Sequence, residues 1–191
     1  MYLRLSEKNE RNPQAEVLIL TIGERARHLF ETRQLLCAEA VITALNQGLG
    51  GGLSDTQAVA LAAPFSVSMG ESGCLCGALS GALLACGLFL CSDGAFRCRW
   101  DTRKRARLLH DCFKTKNGST CCRVLSRNVR NSKKVRFQRC ADLTSQTAIL
   151  AARLILQKRP ELLNVVHKAR PPKRESKWPG VVARLMHYFT I

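Results

Sequence analysis

The stretch "GCLCGALSGALLACGLFLC", from Gly73 to Cys91, contains no charged residue and holds Cys74, Cys76, Cys86 and Cys91 among glycines, alanines and leucines. The uncharged run extends from Ser72 to Ser92, about the length a bilayer requires. A helix apolar on all sides is either a membrane span or a core element. Gly73, Gly77 and Gly81 recur every fourth position, which puts small residues on one helical face and lets a neighbouring helix approach closely. The interspersed glycines, serines and cysteines keep the hydropathy moderate, so the stretch is read as a buried helix. A single membrane span over 72–92 stands as the alternative.

Working outward, apolar residues recur with helical rather than strand-like period. One helix is expected over "IGERARHLFET", with Ile22, Ala26, Leu29 and Phe30 on one face. A second covers "LLCAEAVITALNQGL" and ends at the glycines 48 and 50–52. Ser54-Asp55 caps a short helix that Pro64 stops. Beyond the uncharged stretch, "DTRKRARLLHDCFKTK" reads as a basic amphipathic helix broken at Asn117-Gly118, followed by a short helix at "CCRVL". Residues 126–138 read as an exposed basic loop, and "CADLTSQTAILAARLILQK" as a final helix ending before Pro160. The expected fold is all-α: a small irregular helical bundle around a central apolar Gly/Ala-rich helix. The expected divisions are an N-terminal extension (1–21), an all-helical cysteine-bearing domain (22–159) and a basic C-terminal tail (160–191). Within that tail, 181–191 could form a short amphipathic helix.

The net charge of +16 is regional. Residues 1–96 carry 6 basic and 9 acidic residues, 97–139 carry 15 and 2, and 140–191 carry 9 and 3. A basic face of this kind suits an acidic protein partner, a nucleic acid or an anionic surface. Aromatic residues are poorly interleaved with the basic ones and no helix-turn-helix or zinc-finger spacing occurs, so a nucleic-acid module is the second alternative only.

Ten cysteines is a high count for 191 residues. The first twenty residues lack the apolar run and cleavage site of a secretory signal. The expectation is therefore a cytoplasmic, reducing setting, with thiols serving as core residues, metal ligands or redox groups. Cys37, Cys76, Cys122 and Cys140 each fall where a helix is expected to begin, and helix N-termini stabilise thiolates through free N–H groups and the positive dipole end. Cys86 and Cys91 read as core packing, and Cys98 and Cys112 as surface residues. Cys74 and Cys121 stand beside the set of four as spare thiols.

Cys37-Ala38-Glu39-Ala40-Val41, Cys76-Gly77-Ala78-Leu79-Ser80-Gly81, Gly118-Ser119-Thr120-Cys121-Cys122-Arg123-Val124-Leu125 and Cys140 follow one another over about residues 22–158. This pattern resembles the C_GCAxxG_C_C family of redox-active proteins. Carried over by position, the resemblance makes Cys37, Cys76, Cys122 and Cys140 the signature cysteines, as redox thiols or as metal ligands. It implies thiol/disulfide exchange or an iron–sulfur cluster as cofactor, for which four thiolates are the right number. Family members carry a glycine-rich stretch before Cys-Gly-Ala, where this chain has Phe65-Ser66-Val67-Ser68-Met69-Gly70. The expected partners are a redox partner, an acidic protein and a second copy of the chain in a homodimer. Nucleic acid and membrane are not expected.

Overall fold

The computed structural model describes residues 12–91, 95–129 and 131–166. Among them there is no strand, and the fold is all-α. Helix α1 spans Pro13–Glu31, α2 Cys37–Leu49, α3 Asp55–Ala62, α4 Gly77–Leu90, α5 Ala95–Asn117, α6 Cys122–Leu125, α7 Lys133–Lys158 and α8 Leu162–Val166. Residues 167–191, including the terminal helix expected at 181–191, lie outside the described residues.

Helix α1 begins nine residues earlier than its periodicity suggested. The Asn12 side chain accepts from the backbone N–H groups of Gln14 (3.0 Å) and Ala15 (3.4 Å), and Pro13 occupies the first turn, where its missing N–H costs nothing. Ala15 and Ile19 then extend the buried stripe of Ile22, Ala26 and Leu29. The expected N-terminal extension therefore contributes two packed turns. At α2 the Glu39 carboxylate turns back to accept from the Leu36 N–H at 2.8 Å, and Gly50 closes the helix at φ 68°. Ser54 and Gln57 cap α3 reciprocally.

The long helices α1 and α7 pack along one another, and α4 packs against α2, α5 and α7. Gly77 and Gly81 face α2. A methyl group at 81 would overlap the Ala38 carbonyl, and one at 77 the Cys37 sulfur. Gly73 has no part in this helix face; it adopts φ 82° in the preceding loop. Helix α4 has 14 residues, about 21 Å at 1.5 Å per residue, well short of the ~30 Å hydrocarbon core. Among the described residues no helix is long and apolar enough to cross a membrane.

Several expectations about the basic region and the cysteines in and beside it fail. Residues 133–138 are helical, because Ser132 caps α7 by accepting from the Val135 N–H at 3.3 Å. Cys140 therefore sits in the third turn of α7, away from its N-terminus. Cys91 and Cys98, expected as core and surface residues, are bonded to each other across the α4–α5 turn, with Cα atoms 5.2 Å apart. Cys112, expected at the surface, is buried on the inward face of α5 with Leu109 and Phe113.

Between α3 and α4 the chain makes an uncommon turn. In Ser66–Glu71, Val67, Ser68, Met69 and Gly70 take φ of 51°, 61°, 52° and 61° with ψ between 40° and 65°. This is a left-handed helical turn, which places each Cβ against the following carbonyl and costs roughly 1–2 kcal/mol per non-glycine residue. Met69 is 41 % exposed, so little packing offsets its strain. Met69→Gly is expected to raise stability by about 0.5–1 kcal/mol, the relieved strain minus the added freedom of the unfolded chain. Urea unfolding checks this, and a lower midpoint would contradict it.

Candidate functional site

The left-handed turn forms one wall of a cavity of about 1010 Å³. Cys37, Cys76, Cys122 and Cys140 all line it, although 103 positions separate the first from the last. Four elements deliver them. Cys37 is the first residue of α2, Cys76 caps α4, Cys122 opens α6 and Cys140 projects from α7.

Local backbone pairing holds Cys76 beside α6. The Cys76 N–H donates to the Thr120 carbonyl at 2.8 Å, and the Arg123 N–H donates to the Gly73 carbonyl at 3.2 Å. The Arg123 guanidinium donates to the Ser72 carbonyl at 2.9 Å, and the Cys121 thiol to the Gly73 carbonyl at 3.1 Å. Cys121 therefore staples the loop and is not among the residues that line the cavity, while Cys74 is exposed and outside it. Neither spare thiol joins the set of four. Cys86 packs in the core as expected.

The electrostatics differ from the sequence-based expectation. Burial pushes the Cys37 thiol up, against the opposing N–H groups of Val67 and Ala38 and with the neighbouring Cys122 adding to the rise. Burial pushes Cys76 up to about 12, against the N–H groups of Leu79 and Ala78 and with Cys37 and Cys122 adding. Cys140 is pushed up to about 11 by burial, with Cys122 and Cys37 adding and Arg136 and Arg139 opposing. Helix-terminal N–H groups do reach Cys37 and Cys76, but a dipole end is worth about 0.3–1 kcal/mol, whereas desolvation of a buried thiolate shifts its pKa by units. Burial wins. Each thiol also repels its neighbours' charge, so one thiolate in the set disfavours a second.

The buried thiols have a consequence for stability. A thiol with a raised folded pKa keeps its proton while the unfolded chain loses it near 9.0, the ordinary value. Its contribution to stability is complete below pH 9 and is lost as pH climbs toward 12. Cys76 and Cys86, both pushed to about 12 by burial, should each remove about 1.4 kcal/mol per pH unit across that interval. Urea unfolding at pH 8.5 and 10.5 reads the fall, and Cys86→Ala should reduce its slope. An unchanged slope would contradict the assignment.

Sequence reasoning did not find the rest of the cavity. Arg33, Arg123, Lys133, Arg136 and Arg139 line it, with Glu71 as the single carboxylate among its described lining residues. Phe30 stacks on Phe137 with ring centroids 5.0 Å apart, and the Arg33 guanidinium lies over the Phe137 ring at 5.3 Å. The charge count of 97–139 was the available signal for all of these but Arg33, and the helical course of 133–139 brings Lys133, Arg136 and Arg139 to the cavity. Among the described residues, no three His, Cys, Asp or Glu side chains converge closely enough to hold a single metal ion. The sulfur-only donor set has the number and softness an iron–sulfur cluster takes, and the wide cavity leaves the four donors around its wall.

No curated protein and no solved structure matches the chain. Residues 35–154 match the family model described as "Putative redox-active protein (C_GCAxxG_C_C)", a span that contains all four cavity cysteines and most of the cavity wall. The chain belongs to the C_GCAxxG_C_C family.

Proposed function

We propose that the protein performs thiol/disulfide exchange through the cysteines of the cavity, with Cys122 as the first nucleophile. The observation that carries this reading is the gathering of four thiols from four elements onto one cavity. Burial and mutual repulsion hold protons on Cys37, Cys76 and Cys140. Cys122 is half-buried, opens α6 beside Arg123 and faces the same space. In the exchange, the Cys122 thiolate attacks one sulfur of a disulfide RSSR, forming a mixed disulfide and releasing RS⁻. A second thiol of the set gives up its proton, attacks the Cys122 sulfur and releases the second RS⁻. The protein dithiol is oxidised to a disulfide, and one RSSR is reduced to two thiols.

The sulfur-only donor set supports a second reading, an iron–sulfur cluster held by Cys37, Cys76, Cys122 and Cys140. Such a cluster would supply one-electron transfer, and its binding would release the protons that burial retains. Anaerobic purification followed by iron and sulfide analysis and a thiol count separates the two readings. Exchange predicts metal-free protein that loses two cavity thiols on treatment with a disulfide and recovers both on reduction. A cluster predicts iron and sulfide in the purified protein. Metal-free protein whose cavity thiols resist disulfides contradicts both.

A further inference from the structure

Resting on the exchange reading, the charges around the cavity identify the kind of disulfide it takes. We infer that the substrate is a small anionic disulfide, drawn to the four thiols by the cations of the cavity wall. Arg33, Arg123, Lys133, Arg136 and Arg139 face the same space as the cysteines, against the single carboxylate of Glu71. None of the five forms an ion pair among the described residues. The nearby carboxylates are engaged elsewhere. Glu31 and Asp142 both bind Arg27, at 3.3 and 2.7 Å, and Glu39 caps α2.

This leaves an excess of positive charge in a recess between α1, α6 and α7, where low-dielectric walls concentrate the field. Two of the cations are pre-positioned. Arg33 lies over Phe137, and Arg123 is held by the Ser72 carbonyl, so ordering them for a ligand costs little side-chain entropy. A volume of about 1010 Å³ is that of a small-molecule site. The Phe30–Phe137 stack supplies an apolar surface for the body of the ligand. The same cations stabilise each RS⁻ as it leaves.

The test compares three disulfides of different charge on a Cys74→Ser background, which removes the exposed thiol. The dianion 5,5′-dithiobis(2-nitrobenzoate), neutral 4,4′-dithiodipyridine and dicationic cystamine differ in intrinsic reactivity. Each rate is therefore divided by its rate with the chain unfolded in urea. The normalised rate of the dianion should exceed that of the neutral probe by about tenfold or more, with cystamine slowest. Added salt and the Lys133→Gln/Arg136→Gln variant should both shrink that ratio toward one, whereas Lys104→Gln/Arg107→Gln on α5 should leave it unchanged. Oxidised glutathione and coenzyme A disulfide in the same assay report whether carboxylates or phosphates are preferred.

Normalised rates that do not follow probe charge would overturn the inference while leaving thiol exchange intact. Calorimetric binding of the inert thioether dianion 4,4′-thiodibenzoate reads the cations without any exchange step. If it binds and Lys133→Gln/Arg136→Gln weakens it, yet every disulfide is inert, the exchange reading and the disulfide substrate both fall and the anion preference stands alone.

Discussion

Gly81→Ala is expected to destabilise the protein by about 3 kcal/mol or more, the upper end of what overpacking costs in a core. The methyl group would collide with the Ala38 carbonyl oxygen and lie 3.0 Å from its carbonyl carbon and its Cα. All three atoms belong to the backbone of α2, which cannot rotate aside as a side chain does. Relief requires α4 and α2 to move apart, opening gaps along the rest of their contact. Gly23 and Gly48 are also crowded, but by the side chains of Ile149 and Ile22, so alanine there should cost less. Gly87 provides a control on the same helix. A methyl group there would have nothing within 4 Å, so Gly87→Ala should gain up to about 1 kcal/mol of helix propensity. Thermal and urea unfolding should separate the two variants by about 4 kcal/mol. Equal midpoints would mean that the helices do not meet at Gly81.

The elements that could be read from sequence are those whose ends are set locally. The start of α2 beside Cys37, the Ser54 cap of α3 and the break at Gly118 depend on a few adjacent residues, and each lies where the sequence places it. The Gly77/Gly81 spacing likewise announced a close helix contact. The first two turns of α7 were unreadable for the opposite reason. Lys133, Lys134, Arg136 and Arg139 surround them with charge, only Phe137 offers an apolar anchor, and Ser132 lacks an acidic or amide partner three residues on. That misplaced Cys140 relative to its helix, though not relative to the cavity. The left-handed turn was illegible because Val67, Ser68 and Met69 carry no local preference for it. The sign of the thiol pKa shifts was illegible as well. A helix start can be recognised from neighbouring residues, whereas burial depends on elements a hundred positions away.

Cys122→Ser should cut the rate of mixed-disulfide formation in the cavity by about 100-fold or more, because the thiols left behind are almost wholly protonated. At pH 7 a thiol with a pKa of about 12 is ionised to about one part in 10⁵, and one at about 11 to one part in 10⁴. These are the conditions of Cys76 and Cys140, and burial pushes Cys37 up as well. Neither Cys76 nor Cys140 can open the exchange at a useful rate, and Cys76 is also only 6 % exposed. On the exchange reading, Cys76 is then a resolving thiol rather than the first nucleophile. Cys74→Ser provides the contrast. Cys74 is exposed but lies outside the cavity, so its loss should lower the number of reactive thiols by one without slowing reaction of the cavity set. Stopped-flow disulfide reduction with mass analysis of the trapped mixed disulfide reads both rate and site. A trapped adduct on Cys37 or Cys140 in the unaltered protein, with an undiminished rate in Cys122→Ser, would move the nucleophile to that residue. An adduct confined to Cys122 that then resolves to an internal disulfide identifies, in the same spectrum, which of the other three thiols completes the reaction.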